Sequence, residues 1–356
     1  MSRCFVTGGN GFIGSRIVRA LRARGHEVIA GVGANLDLRN LEGVDVETRP
    51  LELEDAESVR RALAGAEWLV HSAAIYSFWE PEAERLYRVN VGGTRNVLRA
   101  AEEQGVRRMV YTSTFGTLTP SLELSREAAR GEEKEENEEG LFDLRRFHGH
   151  YKSSKAMAEM LVWRAMARGL PGVIVHPTTV LGPGDQRPTP TGGMIVHFLN
   201  GRMKAYAETV LNLVDVDDVA EGHVLALERG AAGGSYILGG ENVTLSELAR
   251  ILSELTGIPA PRFAIPPRLL LGLGRINEWW ADHVSHRTPL IDVESTLHAI
   301  GNRRASSARA EKELGYRPSD ARTALARAAA WFVANGYASP RYTARIRAQG
   351  KLPEPA

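Results

Sequence analysis

The sequence predicts an α/β fold built on a doubly wound parallel sheet. Short apolar runs at 4–7, 27–32 and 68–71 alternate with amphipathic stretches at 12–23 and 56–64. Strands that alternate with helices in this way are typical of parallel βαβ units. A glycine-rich turn also stands between the first run and the first helix, where such folds bind nucleotides.

The same alternation continues through the first half of the chain. A long helix is expected at 82–104, a strand at 109–113, a helix at 151–168 and a strand at 172–176. The second half is mostly helical, with expected helices at 191–200, 217–229 and 244–256, a short strand at 236–238 and a proline-rich link at 259–267. We therefore expect a main domain over 1–177, a smaller and mostly helical region over 178–340, and a tail over 341–356. Within the second range, residues 211–230 are expected to return to the main domain.

Composition excludes several classes of protein. The 356 residues carry 44 Lys and Arg against 43 Asp and Glu, so the basic excess of a nucleic-acid binder is missing. Cys4 is the single cysteine, which excludes a disulfide framework, and we expect it to be buried and no metal to be bound. No apolar run reaches the roughly 18 residues of a membrane span, and no signal-peptide pattern is evident. We expect a cytoplasmic protein.

One segment is low in complexity. Residues 126–140 include a run of glutamates just before the helix expected at 151–168. A solvated loop is the simpler interpretation. A lid that closes over a reaction site is the alternative.

The turn after the first strand has the spacing of a phosphate-binding loop. Gly8 can make a tight turn, Gly11 allows close approach of a pyrophosphate, and Gly14 allows the helix to pack on the strand. The helix that follows presents free N–H groups to phosphates. This predicts a Rossmann-type site for NAD or NADP, with Asn10, Phe12 and Ile13 in the same turn. Asp37 and Arg39 lie slightly beyond the end of the second strand, so the choice between NAD and NADP stays open.

Tyr151 and Lys155 are spaced to share one face of a helix. A lysine cation favours the phenolate of a nearby tyrosine, which can then exchange a proton with a substrate oxygen near neutral pH. Ser113 and Thr114 stand at the end of a predicted strand, where ligands bind in doubly wound sheets. A hydroxyl there can orient the substrate oxygen toward the tyrosine.

Together these motifs resemble the extended short-chain dehydrogenase/reductase family, which includes NAD-dependent epimerases and dehydratases. The resemblance covers residues 3 to about 335 and is nearest to hopanoid-associated sugar epimerases and dihydroflavonol reductase-like proteins. It is supported by the segments 90–96, 188–192, 211–218, 236–242 and 313–318.

The resemblance implies a role for individual residues. Thr114, Tyr151 and Lys155 match the catalytic residues, and Ser113 would lie near the nicotinamide. Further cofactor contacts are implied for Glu52, Leu53, His71, Ala73, Ala74, Asn90, Pro177, Thr178 and Thr179. Two positions depart from the family pattern: Gly33 stands where close relatives tend to have arginine, and Thr179 where nucleotide-sugar epimerases usually have asparagine.

Three aromatic residues, Tyr76, Phe78 and Trp79, follow the implied cofactor turn and are candidates for a substrate pocket. Core packing is the alternative for them. If they line the pocket, the small-molecule substrate has an apolar or aromatic body.

Three functions are compatible with these motifs. The first is a reductase that transfers a hydride from NAD(P)H to a ketone or related unsaturated centre, with Tyr151 as the proton donor. The second is a sugar epimerase or dehydratase that retains its NAD. The third is a non-catalytic cofactor-binding protein, which the intact Thr114, Tyr151 and Lys155 disfavour. The resemblance also implies a homodimer formed through the helices that bear Asn96 and Tyr151.

Overall fold

The computed structural model describes residues 1–33, 37–76, 83–118, 135–138, 149–266, 269, 272, 277, 279, 280 and 304–354. Its strands are β1 (Arg3–Thr7), β2 (Glu27–Val32), β3 (Glu47–Pro50), β4 (Trp68–His71), β5 (Arg108–Thr112), β6 (Glu135–Glu136), β7 (Gly172–Pro177), β8 (Thr179–Leu181), β9 (Ala205–Tyr206), β10 (Val210–Asp215), β11 (Ser235–Leu238), β12 (Glu241–Thr244), β13 (Phe263–Ala264) and β14 (Arg304–Ala305). Seven of them form a parallel sheet in the order β11-β7-β5-β4-β1-β2-β3. This confirms the predicted doubly wound α/β fold.

The helices are α1 (Phe12–Ala23), α2 (Ala56–Leu63), α3 (Ala83–Leu86), α4 (Thr94–Glu103), α5 (His150–Ala167), α6 (Pro190–Leu199), α7 (Val216–Arg229), α8 (Leu245–Thr256), α9 (Ala308–Leu314), α10 (Ala321–Ala334) and α11 (Pro340–Gln349). No helix in the described ranges is long and apolar enough to cross a membrane.

The seven-stranded sheet is covered on both faces. In β1, Cys4 and Val6 pack toward α1 and α7, whereas Phe5 between them packs toward α2, α4 and α5. This alternation follows from the two-residue period of a strand, and it explains why the strands read as continuous apolar runs. Strand order reverses between β1 and β4, so a crevice opens beyond their carboxyl ends.

A second apolar core lies around a three-stranded sheet of β12, β10 and β8. Helices α6, α8, α10 and α11 contribute buried side chains to it. Helix α7 packs instead with α1 in the core of the large sheet, and β11 forms the edge of that sheet. The division at residue 177 stays a prediction.

Two predicted elements differ from the structure. The helix expected at 82–104 is interrupted by a π-helical segment, Tyr87–Gly93, between α3 and α4. Such segments shift the direction of side chains and are frequent at functional sites. Residues 341–349 of the predicted tail lie in α11, where Ile346 is buried in the second core and Tyr342 packs against it. These few apolar side chains are a weak signal in a polar sequence.

Only residues 135–138 of the acidic segment 126–140 are described. There β6 pairs with β14, and the Glu138 carboxylate accepts a hydrogen bond of 2.8 Å from the backbone N–H of Ile237. The interpretation of the segment as a loop or a lid otherwise lies outside the described residues.

Two buried histidines are held neutral by burial. Nδ1 of His223 in α7 lies 2.7 Å from the Val219 carbonyl oxygen and therefore donates, so Nε2 accepts from the Thr112 hydroxyl at 2.8 Å. Burial lowers the pKa of His223 to about 4. Burial, together with the Lys155 charge, lowers the pKa of His71 to about 3.

These pKa values predict acid sensitivity. An unfolded histidine titrates near pH ~6.5, so between there and about pH 4 the unfolded chain binds a proton that folded His223 does not. The free energy of unfolding therefore falls as pH falls through this window. We expect His223→Gln to reduce that slope by up to about 1.4 kcal/mol per pH unit, measured by urea unfolding at a series of pH values. His197→Gln, at an exposed site, is the control. An unchanged slope in His223→Gln would contradict the argument.

Candidate active site

The glycine turn adopts the geometry that its spacing predicts. Gly8 has φ 66°, a left-handed conformation that favours glycine. A Cβ placed on Gly14 would stand 2.1 Å from the Gly8 carbonyl oxygen, so no larger residue fits between α1 and the turn. The Gly11 N–H closes the turn by donating to the same oxygen at 2.8 Å.

The N-terminus of α1 is open toward the cavity. Gly11 occupies the N-cap position without a capping side chain, and the first turn holds no acidic residue. The free N–H groups and the positive end of the helix dipole are therefore available to an anion. Gly14 and this uncapped end together fit a dinucleotide pyrophosphate.

One cavity of about 640 Å³ extends from the glycine turn past α5 to the second core. Most of the residues predicted for the site line it: Gly8, Asn10, Gly11, Phe12, Ile13, Gly14, Leu53, Ala73, Ala74, Tyr76, Ser113, Thr114, Tyr151, Lys155, Pro177, Thr178 and Thr179. Gly33 lines it as well. Phe78 and Trp79 lie outside the described residues.

Five predicted cofactor residues do not line this cavity: Asp37, Arg39, Glu52, His71 and Asn90. Arg39 forms an ion pair with Asp37 at 2.7 Å and holds the pKa of that carboxyl near 2. Asp37 nevertheless stays close to the glycine turn, because Asn10 Nδ2 donates to its carbonyl oxygen at 3.0 Å. Glu52 is exposed.

His71 supports the cofactor turn from behind. The Thr7 hydroxyl oxygen accepts from the backbone N–H groups of Ser72 and Ala73 at 3.1 and 3.0 Å. Its own proton is therefore donated to Nδ1 of His71, 2.8 Å away. Nε2 of His71 then carries the ring proton and donates to the Thr94 hydroxyl at 3.0 Å. His71 thus helps to shape the turn, and the cofactor contact implied for it stays a prediction.

Asn90 also acts from behind the cavity. Within the π-helical segment its amide accepts from the Ile75 N–H at 2.8 Å and donates to the Ile75 carbonyl oxygen at 3.0 Å. It also donates to the Ser154 hydroxyl at 3.1 Å. The asparagine thereby ties the loop after β4 to α5.

Tyr151 and Lys155 lie one turn apart on α5 and line the same cavity. The Lys155 ammonium is buried and donates to the Thr112 carbonyl oxygen at 2.8 Å and the Tyr111 hydroxyl at 3.1 Å. The Tyr151 ring stands edge-on to Tyr76, with centroids 4.5 Å apart. Burial lowers the pKa of Lys155 to about 8, although the nearby Glu159 carboxylate acts in the opposite direction.

Ser113 and Thr114 use their hydroxyls differently. Ser113 donates to the Glu159 carboxylate at 2.5 Å, so its proton points away from any ligand. The Thr114 oxygen accepts from the Gly116 N–H at 3.2 Å, and its proton has no acceptor among the described residues. Thr114 is therefore the hydroxyl that can donate to a substrate oxygen.

Glu159 is a buried residue of the site that the sequence analysis missed. Its carboxylate accepts from Ser113, from Thr117 at 2.7 Å and from the indole N–H of Trp163 at 3.2 Å. These bonds hold both sides of the Thr114 segment against α5. Its position four residues after Lys155, on the same helix face, is the signal that could have identified it.

The sequence analysis also did not predict the end of the cavity that lies beside the second core. This end is formed by Val180, Thr189, Pro190, Thr191, Met194, Thr209, Leu211 and Leu245. Some of these residues fall in segments that support the family resemblance, but their place in one cavity depends on how the second core packs against the first.

The sequence matches the model of the NAD dependent epimerase/dehydratase family over residues 4–239. It is 37% identical over 342 residues, 95% of this chain and 96% of the other, to a provisionally named dihydroflavonol 4-reductase of Synechocystis sp.. It is 36% identical over 332 residues, 93% and 98% of the two chains, to sterol demethylase protein B of Methylococcus capsulatus. The crystal structure of gox2253 matches with a TM-score of 0.82 at 38% identity, covering 95% and 100% of the two chains.

The chain belongs to the NAD-dependent epimerase/dehydratase family of extended short-chain dehydrogenases/reductases. This confirms the resemblance drawn from the motifs. The protein is an NAD(P)-dependent enzyme, as expected from the glycine turn. The roles of individual site residues remain predictions.

The Glu159 network predicts a stability difference between two variants. Glu159→Ala removes the acceptor of the Ser113 hydroxyl and the Trp163 indole N–H, whereas Thr117 keeps the Thr114 carbonyl oxygen at 2.8 Å. We expect the free energy of unfolding to fall by about 3 kcal/mol. Glu159→Gln keeps one acceptor oxygen and should cost about 1 kcal/mol. Urea unfolding measures both, and exposed Glu103→Ala on α4 is the control. An alanine variant as stable as the wild type would contradict the network.

Proposed function

We propose that the protein is a reductase that transfers a hydride from NAD(P)H to a ketone or related unsaturated centre of an apolar or aromatic small molecule. The observation that supports this most is the composition of the cavity that extends from the glycine turn past α5. Thr114, Tyr151 and Lys155 meet beside the glycine turn, and the space beyond them is lined mainly by apolar side chains.

A bound NAD(P)H supplies the hydride. The glycine turn and the open end of α1 hold its pyrophosphate. Lys155 donates two of its three ammonium protons to Thr112 and Tyr111, so the third can donate a hydrogen bond to a ribose hydroxyl. Thr114 donates a hydrogen bond to the carbonyl oxygen of the substrate. Tyr151 delivers the proton that this oxygen needs as the carbonyl carbon is reduced. The positive charge of Lys155 favours the phenolate that remains.

The alternative is an epimerase or dehydratase that acts on a nucleotide sugar and retains NAD. Such a substrate carries a diphosphate, which arginine binds best. The described residues that line the cavity include no arginine, and their only cations are Lys152 and Lys155. Thr179 also stands where nucleotide-sugar epimerases usually have asparagine. These features, with the reductase and sterol-related names of two relatives, favour the reductase.

The proposal is tested by adding benzylacetone and a panel of other aryl and alkyl ketones with NADH or NADPH. We expect NAD(P)H absorbance to fall in proportion to the alcohol formed. Tyr151→Phe should lower turnover by at least about 100-fold, because it removes the proton donor, and leave cofactor affinity nearly unchanged. Mass spectrometry of any cofactor that copurifies identifies it as NAD or NADP.

Two outcomes would contradict this function. Full turnover in Tyr151→Phe would exclude Tyr151 as the proton donor. Epimerisation of a nucleotide sugar with tightly bound, unconsumed NAD, and no ketone reduction, would establish the alternative.

We also propose that the protein is a homodimer that pairs through α4 and α5. In support, Met157, Met160 and Trp163 on α5 remain 42%, 38% and 38% exposed. A contiguous apolar stripe on a helix surface is typical of protein contacts.

Analytical ultracentrifugation measures the state directly. We expect a dimer mass for the wild type and a shift to monomer in Met160→Glu, because the charge would be buried in the contact. Thr48→Glu on the exposed strand β3 is the control and should remain dimeric. A wild-type monomer would exclude the dimer.

A further inference from the structure

The far end of the cavity contains a buried hydroxyl without a partner. Thr209 lines the cavity and is only 4% exposed. Its Oγ1 makes no hydrogen bond with any residue that the structure describes. Buried hydroxyls are normally satisfied, so an exception inside a binding cavity indicates that a ligand supplies the partner.

The backbone places this side chain on the cavity side of the second core. The Thr209 carbonyl oxygen accepts from the Leu245 N–H at 2.9 Å, which pins the residue just before β10. Leu211, two residues further along, also lines the cavity. Since residues two apart in extended chain share a face, Thr209 and Leu211 present their side chains to the same space.

A second threonine at this end is already satisfied. The Thr189 hydroxyl donates to the Asp185 carboxylate at 2.9 Å and accepts from the Gly192 N–H at 3.1 Å, as the N-cap of α6. Thr189 is therefore engaged in holding the helix. Met194, Leu211 and Leu245 line the cavity with Thr209, and their apolar side chains offer no strong hydrogen-bond partner.

We propose that Thr209 forms a polar subsite at the end of the cavity remote from the glycine turn. The ligand class it selects is an elongated apolar molecule with the reducible carbonyl at one end and one hydroxyl or carbonyl oxygen at the other. The inference rests on the proposed reductase function for the position of the reacting end. Recognition of the remote oxygen depends only on the cavity and the Thr209 hydroxyl.

The test compares methyl ketones of increasing chain length with the same ketones carrying a terminal hydroxyl. For the wild type, kcat/KM of each hydroxylated ketone is divided by kcat/KM of the plain ketone of the same length. This ratio should reach a maximum of about 10 at one chain length, because one or two uncharged hydrogen bonds contribute about that factor. Thr209→Val keeps the shape but removes the hydroxyl, and the peak in this ratio should disappear. Thr209→Ser should retain the peak, and Thr48→Val on β3 is the control.

A second measurement separates this inference from the reductase function. Calorimetry with the protein loaded with the oxidised cofactor, which has no hydride to donate, follows binding of the same ketones without turnover. If no ketone is reduced but the hydroxylated ketone binds better and Thr209→Val removes that preference, the subsite stands and the reductase function fails. If ketones are reduced and Thr209→Val changes neither the ratio of kcat/KM nor the binding of the hydroxylated ketone, the subsite is excluded. It is also excluded if neither turnover nor binding shows a preferred chain length for the hydroxylated ketones.

Ligand-free stability gives an independent check. Replacement of an unsatisfied buried hydroxyl by a methyl group removes a desolvation cost. Thr209→Val should therefore melt at the same temperature as the wild type or higher. A clear decrease would show that Oγ1 has a partner in the protein and would overturn the inference.

Discussion

The burial of the Lys155 ammonium between α5 and the end of β5 organises the active end of the sheet. A buried cation requires acceptors, and here the Thr112 carbonyl oxygen and the Tyr111 hydroxyl provide them. The ammonium also lies 4.6 Å from the centre of the Tyr111 ring, whose electrons favour a cation. These contacts hold the first turns of α5 beside the carboxyl end of β5, and Tyr151, one turn before Lys155, lines the same cavity.

A continuous set of hydrogen bonds connects this cation to the glycine turn. Thr7 holds the loop after β4 and donates to His71, which donates to Thr94. A hydrogen bond from Thr94 to Tyr111 opposes the rise that burial causes in the pKa of that tyrosine. Tyr111 in turn accepts from Lys155. One buried network therefore positions both the loop after β4 and Lys155. Its middle residues, His71, Thr94 and Tyr111, do not line the cavity.

The two ends of the cavity have different chemistry because they belong to different cores. The end beside the large sheet offers N–H groups, hydroxyls and a cation. The end beside the smaller sheet offers apolar side chains with few polar atoms. A ligand that fills both ends must be polar where it reacts and mainly apolar elsewhere.

The residues of the glycine turn and the Tyr151–Lys155 pair could be predicted from the sequence, because their spacing follows the local period of a turn and a helix. Helix α1 begins and ends where its pattern indicates. By contrast, the directions of Glu159, Tyr111 and His71 could not be predicted, since their partners are distant in sequence and meet only when helices pack on the sheet. The same holds for Thr209 and Leu211, whose strand β10 lies beside β8 and β12 in a sheet that the apolar pattern did not reveal.

The sequence by itself thus determined the fold class, the conformation of the glycine turn and the placement of Tyr151 and Lys155 one helical turn apart. The turn and the pair are each encoded within a few consecutive residues. Only the tertiary structure decided which polar groups remain free to act. Ser113 and Thr114 are adjacent residues with hydroxyl groups, and the sequence does not show which hydroxyl is available to a ligand. Each hydroxyl has a single proton to donate. Ser113 donates it to the buried Glu159 carboxylate, whereas Thr114 only accepts, from the Gly116 N–H, and can still donate to a ligand.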